Sequence, residues 1–167
     1  MMQWITRLLM VAALLLAVWL FVRMSDGFTV KRHRTDQQLI TSLTEQQSGF
    51  MQLMAMFRQD GQLFSINSQF MDPDKAIDKV RWQQYRQHFT QLSLEGGIRT
   101  WGAHGVMFVS SVISTPNGIS TKGYVYRPHN PLPRYTHLDR ALSGLPYNTV
   151  GYRKIDEDWY LFYLKYY

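Results

Sequence analysis

Residues 106–127 read VMFVSSVISTPNGISTKGYVYR, two arms rich in Val, Ile, Ser and Tyr around Pro116-Asn117-Gly118. β-branched and aromatic residues suit a pleated, half-buried surface. Asn-Gly between two such arms is the strongest short-range hairpin signal, because both residues tolerate φ > 0. The stretch therefore predicts a β-hairpin at the centre of the fold. Gly123 lies inside the second arm, where a glycine marks a bulge or a close backbone approach.

Outward from the hairpin, residues 98–101 predict a preceding strand, joined to it by the turn Gly102-Ala103-His104-Gly105. On the other side, RPHNPLPRY (127–135) carries three prolines. It is a stiff connection that no central strand can contain. Residues 138–142 predict one helical turn. Residues 149–155 and 159–166 then predict a second hairpin around Asp156-Glu157-Asp158. Its last arm, WYLFYLKY, is apolar on both faces, so it is central or covered on both sides.

Towards the N-terminus the period changes from 2 to 3.6. Ile40, Leu43, Gln47, Phe50, Met54 and Phe57 recur at spacings of 3 and 4, which predicts a helix over 36–59 that stops at Asp60-Gly61. Met51, Leu53 and Met56 lie off this stripe, so the helix is buried over a wide arc. Its near-heptad spacing also offers Ile40, Leu43, Phe50, Met54 and Phe57 to a protein partner or to a second copy of the chain. Residues 63–66 form a short apolar patch, a strand or a strap. Asp72-Pro73 predicts the start of a second helix, with Asp74 favourable to its dipole. Val80 is expected to pack, and Trp82, Tyr85, Phe89 and Leu92 form an aromatic stripe of the kind that fills cores. Gly96-Gly97 ends it.

Residues 8–22, LLMVAALLLAVWLFV, are apolar without interruption. Counted from Trp4 and tolerating Arg7, the run approaches the roughly 20 residues of a spanning helix. No small-x-small cleavage site follows it, so the expectation is an uncleaved signal anchor rather than a signal peptide. The domain plan is then an anchor over 1–23, a basic juxtamembrane linker over 24–35 and one globular domain over 36–167. The fold class expected is α+β: an N-terminal transmembrane helix, then two helices packed on one face of an antiparallel sheet of about five strands.

The net charge is +6, yet five of the 18 basic residues and one of the 12 acidic ones precede Thr35. The excess sits beside the apolar run, at Arg23, Lys31, Arg32 and Arg34, where it suits anionic lipid head groups. Nucleic acid is disfavoured as a partner, because a domain that binds it carries the charge on its folded body. The positive-inside count argues for a cytoplasmic domain. A short positive N-terminus before a single apolar run argues for export. The placement adopted is single-pass in a bacterial inner membrane with a periplasmic domain, the bilayer being one partner.

No motif dictates chemistry. The chain has no cysteine, which excludes disulfides, thiolate zinc sites and thiol nucleophiles. His129, His137 and Asp139 match no compact metal-ligand spacing. Ser110 or Ser111 with His104 and Asp139 would make a Ser-His-Asp set, but neither serine lies in Gly-x-Ser-x-Gly. The clustered acids, Asp72, Asp74 and Asp78 and then Asp156, Glu157 and Asp158, sit at a helix start and a turn, where dipole and solvation explain them. No catalytic residue, metal ligand or cofactor is assigned. The binding residues singled out are Lys122, Tyr124, Tyr126, Arg127 and Trp159, since Tyr, Trp and Arg recur at binding hot spots. Cross-strand packing is the plainer account of the same residues. The function expected is a membrane-anchored, non-enzymatic binding or accessory module of a bacterial cell envelope, acting through protein or envelope-ligand contacts. The alternatives are a small membrane-bound hydrolase using His104 or His137, and a cytoplasmic-side tether that binds anionic lipid or nucleic acid.

Overall fold

The computed structural model describes residues 16–19, 31–141 and 144–167. Chain contacts divide it into two units, Met1–Arg32 and His33–Tyr167. In the first, residues 16–19 are helical, and Leu16, Val18 and Trp19 are exposed. The spanning anchor expected over 1–23 is corrected: among the described residues no helix is long and apolar enough to cross a membrane. The remainder of that expectation, Arg23 included, falls outside the described residues. The weakness of the expectation is one of length. As a helix, fifteen uninterrupted apolar residues would span only about 22 Å at about 1.5 Å per residue, short of a hydrocarbon core of about 30 Å. The transmembrane, signal-anchor and single-pass assignments are withdrawn with it, and so is the inner-membrane placement.

In the second unit, helix α1 (Asp36–Gln59) starts at a capping box. Thr35 Oγ1 accepts from Gln38 N at 3.2 Å, and Thr35 N donates to Gln38 Oε1 at 2.9 Å. Such a cap satisfies two N–H groups that a helix start otherwise leaves unpaired. Its buried face is Leu39, Leu43, Phe50, Leu53, Met54 and Phe57. Gln46 leaves helical geometry at φ −120°, and beyond it Phe50, Leu53, Met54 and Phe57 share one face at spacings of 3, 4 and 7. Helix α2 (Lys79–Gln91) does not begin at Asp72-Pro73. Asp72 lies in a strand instead, and its carbonyl accepts from Phe64 N at 2.8 Å. The N-cap is Asp78, whose Oδ1 accepts from Arg81 N at 2.7 Å. Val80, expected to pack, is exposed, while Tyr85, Phe89 and Leu92 are buried. Asp60 ties the two helices together, accepting from Arg81 Nε at 2.7 Å and from the Tyr85 hydroxyl at 2.9 Å.

The sheet has seven antiparallel strands in the order β2-β1-β3-β4-β5-β7-β6, where about five were expected. They are β1 (Ser65–Ile66), β2 (Met71–Asp72), β3 (Gly97–Trp101), β4 (Gly105–Thr115), β5 (Gly118–Tyr126), β6 (Thr149–Lys154) and β7 (Trp159–Tyr166). β1 and β2 have two residues each, too few to show an alternation in the sequence. A short helix α3 (Leu138–Ala141) precedes β6. The central hairpin turns at Pro116-Asn117, because Thr115 pairs with Gly118. Pro116 cannot take a positive φ, so that conformation falls on Gly118 alone, at +131°.

Gly123 marks a bulge. Val109 pairs with Gly123 and Ser111 with Lys122, which leaves Ser110 as the extra residue. A Cβ at 123 would lie 2.1 Å from Phe108 O and 2.8 Å from Ser110 N, so only glycine lets the bulged strand approach. The bulge also resets the alternation of β4. Before it, Phe108 faces the helices; after it, Ser111 does.

Both faces of the sheet are buried. The helix-facing core contains Phe108, Tyr124, Trp159 and Leu161 packed against α1 and α2. Phe50 of α1 sits at its centre, edge-on to Phe108, Tyr124 and Trp159 at ring distances of 5.4, 4.9 and 5.9 Å. Each such pair is worth about 0.5–1.5 kcal/mol beyond the area it buries. The opposite face holds a second core of Met107, Val109, Val125, Tyr152, Tyr160 and Phe162. Among the described residues no helix covers it; curvature does. Trp101 Nε1 of β3 donates to the Tyr152 hydroxyl of β6 at 2.9 Å. On a flat sheet these strands would be about 19 Å apart, four spacings of about 4.8 Å. The sheet therefore curls, with the helices outside and the second core within.

Candidate functional site

Four of the five residues singled out from the sequence lie inside the protein. Lys122 and Tyr124 are fully buried, and Tyr126 and Trp159 nearly so. Tyr124 donates its hydroxyl to Leu39 O at 3.0 Å, and burial pushes its pKa up to about 12. Trp159 packs against Tyr126 and Phe108. Arg127 alone is exposed. It grips Asp158 through Nε at 2.7 Å and Nη2 at 3.1 Å, while its own backbone N–H donates to Asp158 O at 2.8 Å. This fork holds the Asp158 carboxyl below the ordinary aspartate range. Arg127 thus clamps the end of β5 to the β6–β7 turn. The α1 residues offered to a partner, Leu43, Phe50, Met54 and Phe57, are buried in the chain's own core, with Ile40 packed at its edge. Of the basic cluster, Lys31 and Arg32 are exposed, and Arg34 donates to Ser42 Oγ.

What sequence reasoning missed is the company Lys122 keeps. Its ammonium lies 2.7 Å from Asp36 Oδ1 and also pairs with Asp139. Arg153 Nη1 and Leu138 N both donate to Asp36 Oδ2 at 2.8 Å, and Asp36 N donates to Asp139 Oδ2 at 2.9 Å. Burial alone would raise the Asp36 pKa. Hydrogen bonds from Lys122 and Arg153, the Lys122 charge and the Leu138 N–H outweigh it and hold the carboxylate below its ordinary range. The first turn of α1, the middle of β5, α3 and β6 are locked by this network. No spacing rule announces it, since its members stand up to 117 positions apart.

Beside it, His33 lies between two serines, with Nδ1 at 2.6 Å from Ser111 Oγ and Nε2 at 2.8 Å from Ser120 Oγ. Its ring meets Tyr163 edge-on at 5.5 Å. The serine considered for a hydrolase, Ser111, thus meets a histidine, but a different one from those considered. His104 and His137 are exposed. The position an orienting carboxylate would take at Nε2 is held by the Ser120 hydroxyl. Among the described residues no group of His, Cys, Asp and Glu could hold a metal ion.

The concave face offers a different arrangement. A cleft of about 240 Å³ lies between the β1–β2 hairpin, the bulge and the end of β7. Its walls include Phe70, Arg99, Val109, Val112, Thr121 and Tyr166. The bulge shapes it by spacing Val109 and Val112, both on this face, around the extra residue Ser110. Arg99 points Nε and Nη2 at Met107 Sδ, at 3.1 and 3.0 Å, and a thioether is a weak acceptor. Burial lowers the Arg99 pKa, with only the Tyr166 hydroxyl opposing. Thr121 is 3% exposed, and its Oγ1 has no hydrogen-bond partner.

No family model, curated protein or solved structure matches this chain. What the site can do therefore rests on its own geometry.

Proposed function

We propose that the chain is a non-enzymatic binding module that takes its ligand in the cleft on the concave face of the sheet. One observation carries this reading. The clustered ionisable groups Asp36, Lys122, Asp139 and Arg153 neutralise one another in structural pairs, whereas in the cleft Thr121 Oγ1 has no hydrogen-bond partner and Arg99 meets a thioether rather than a carboxylate, against largely apolar walls. Largely preformed apolar clefts with a few convergent polar groups are where small ligands bind. A second reading, a hydrolase built on Ser111 and His33, has the 2.6 Å contact in its favour.

Thermal melts of the 167-residue chain with a panel of neutral, cationic and anionic small molecules test the two readings. A ligand at about 100 times its Kd adds about 2.7 kcal/mol, several degrees in Tm. At least one class is expected to raise Tm, and Val112→Phe, which fills the cleft, is expected to remove the shift. Turnover of p-nitrophenyl esters that Ser111→Ala abolishes would replace this reading with the hydrolase.

A further inference from the structure

We infer that the concave cleft is an anion site, in which Arg99 and Thr121 hold the carboxylate of a small acid whose apolar body lies against Val109, Val112 and Phe70. This rests on the binding-module reading and names its ligand class.

The first support is the state of Arg99. Arg81, Arg127 and Arg153 each hold a carboxylate, at 2.7, 2.7 and 2.8 Å. Arg99 is half-buried and holds a sulfur instead. A guanidinium presents five N–H donors in a rigid fork that fits a carboxylate with two parallel bonds. The thioether engages the Nε–Nη2 edge, and the guanidinium lies 5.7 Å from the centre of the Trp101 ring. Burying a charge is costly unless an opposite charge accompanies it. Among the described residues no carboxylate pairs with Arg99, the Glu95 carboxyl at the cleft's edge accepting from Val112 N at 3.3 Å instead, and the cleft leaves room for one.

The second support is independent. Thr121 stands on the adjoining part of the same cleft with its hydroxyl fully buried and unpaired. Buried hydroxyls are almost always hydrogen-bonded, so an orphan lining a cavity points to a partner that arrives with a ligand. Carboxylate oxygens accept from guanidinium and hydroxyl alike, and both residues line this cleft. The walls decide the rest. Ser65 and Asn67 stand at the β1–β2 side of the cleft, but Val109, Val112 and Phe70 make its walls more apolar than polar, which suits an alkyl or aryl chain. Phe70, more than half exposed, stands where such a chain would cover it.

Calorimetric titration of the 167-residue chain with hexanoate, hexanamide and inorganic phosphate tests this. Hexanoate is expected to bind about tenfold or more tighter than hexanamide, which has the same body without the charge, because charge-assisted bonds are the strong ones. Phosphate, with the charge and no apolar body, is expected to bind more weakly than hexanoate. Arg99→Met should remove the preference for hexanoate over hexanamide. Should that variant not fold, Arg99→Lys, which keeps the charge without the fork, should reduce it. Thr121→Val should weaken hexanoate and leave the melt of the free protein unharmed. Equal binding of hexanoate and hexanamide overturns the inference, as does a preference that survives Arg99→Met or phosphate binding tighter than hexanoate. If neutral or cationic compounds shift the melt and no anion does, the anion site falls and the binding module stands. If no compound of any charge does so, both fall.

Discussion

The two faces of one sheet treat charge in opposite ways. On the outer face, Lys122 is buried completely, and two aspartates meet it. On the inner face, Arg99 is half-buried, and a thioether and the Trp101 ring meet it instead of a carboxylate. Lys122 and Thr121 are neighbours in the chain, yet one is over-supplied with partners and the other has none. The alternation of a strand puts them on opposite faces, and those faces have different tasks. The outer face joins elements that are distant in sequence, and ion pairs there fix which elements meet. The inner face is closed by curvature, and the end of it that does not close keeps its polar groups unspent.

Three measurements probe that contrast. The largest effect is expected at Lys122→Met, which leaves the buried Asp36 and the Asp139 carboxylate short of a cation. Breaking a buried pair from one side costs about 3–5 kcal/mol, read as a lower urea midpoint. A loss below about 1 kcal/mol would mean that the network does not hold the outer face.

Next is acid. Asp36 has a lowered pKa in the folded state. The stability it contributes is therefore complete above the unfolded aspartate range near pH 4 and is lost as pH falls through the lower folded value. The urea midpoint should drop below about pH 4. Asp36→Asn should start about 2 kcal/mol less stable at pH 7, since bonds to a charged group are lost, and should show a smaller drop in acid. An equal drop in both proteins would place the acid sensitivity elsewhere.

The smallest effects belong to the inner face. Without ligand, Arg99→Met and Thr121→Val are expected to change stability by less than about 0.5 kcal/mol or to raise it, because each removes a polar group that lacks a full partner. If Arg99→Met were as damaging as Lys122→Met, the two faces would not differ in this way, and Arg99 would be a structural cation like the rest.

Much of the local structure was legible because local rules govern it. The hairpin sits around Pro116 to Gly118, and the glycine at 123 does mark a bulge. The aromatic stripe of Tyr85, Phe89 and Leu92 is core. Misreadings arose where one local signal stood for another. Asp72-Pro73 has the chemistry of a helix start but belongs to a two-residue strand, and Asp78 caps α2 instead. The apolar N-terminal run has the composition and nearly the length of a spanning helix, yet among the described residues no helix is long and apolar enough to cross a membrane. The candidate site was the least legible part. Lys122 stands out in the sequence only as one candidate binding or cross-strand packing residue beside Tyr124, Tyr126 and Arg127. Strand alternation says which residues share a face; it does not say what that face meets.

By itself, the sequence determined the periods, the turns and the glycine positions, and with them the two long hairpins and the two main helices. These follow from sterics and from polarity within a few residues. Only the tertiary structure decided that the sheet curls until Trp101 reaches Tyr152, that Asp36 and Asp139 converge on Lys122, and that one cleft is lined by Arg99, held by a thioether, and by Thr121, whose hydroxyl has no hydrogen-bond partner. The physical reason is that pairing of charges and closure of a cavity depend on distances between residues far apart in the chain. Those distances are set by how the layers pack.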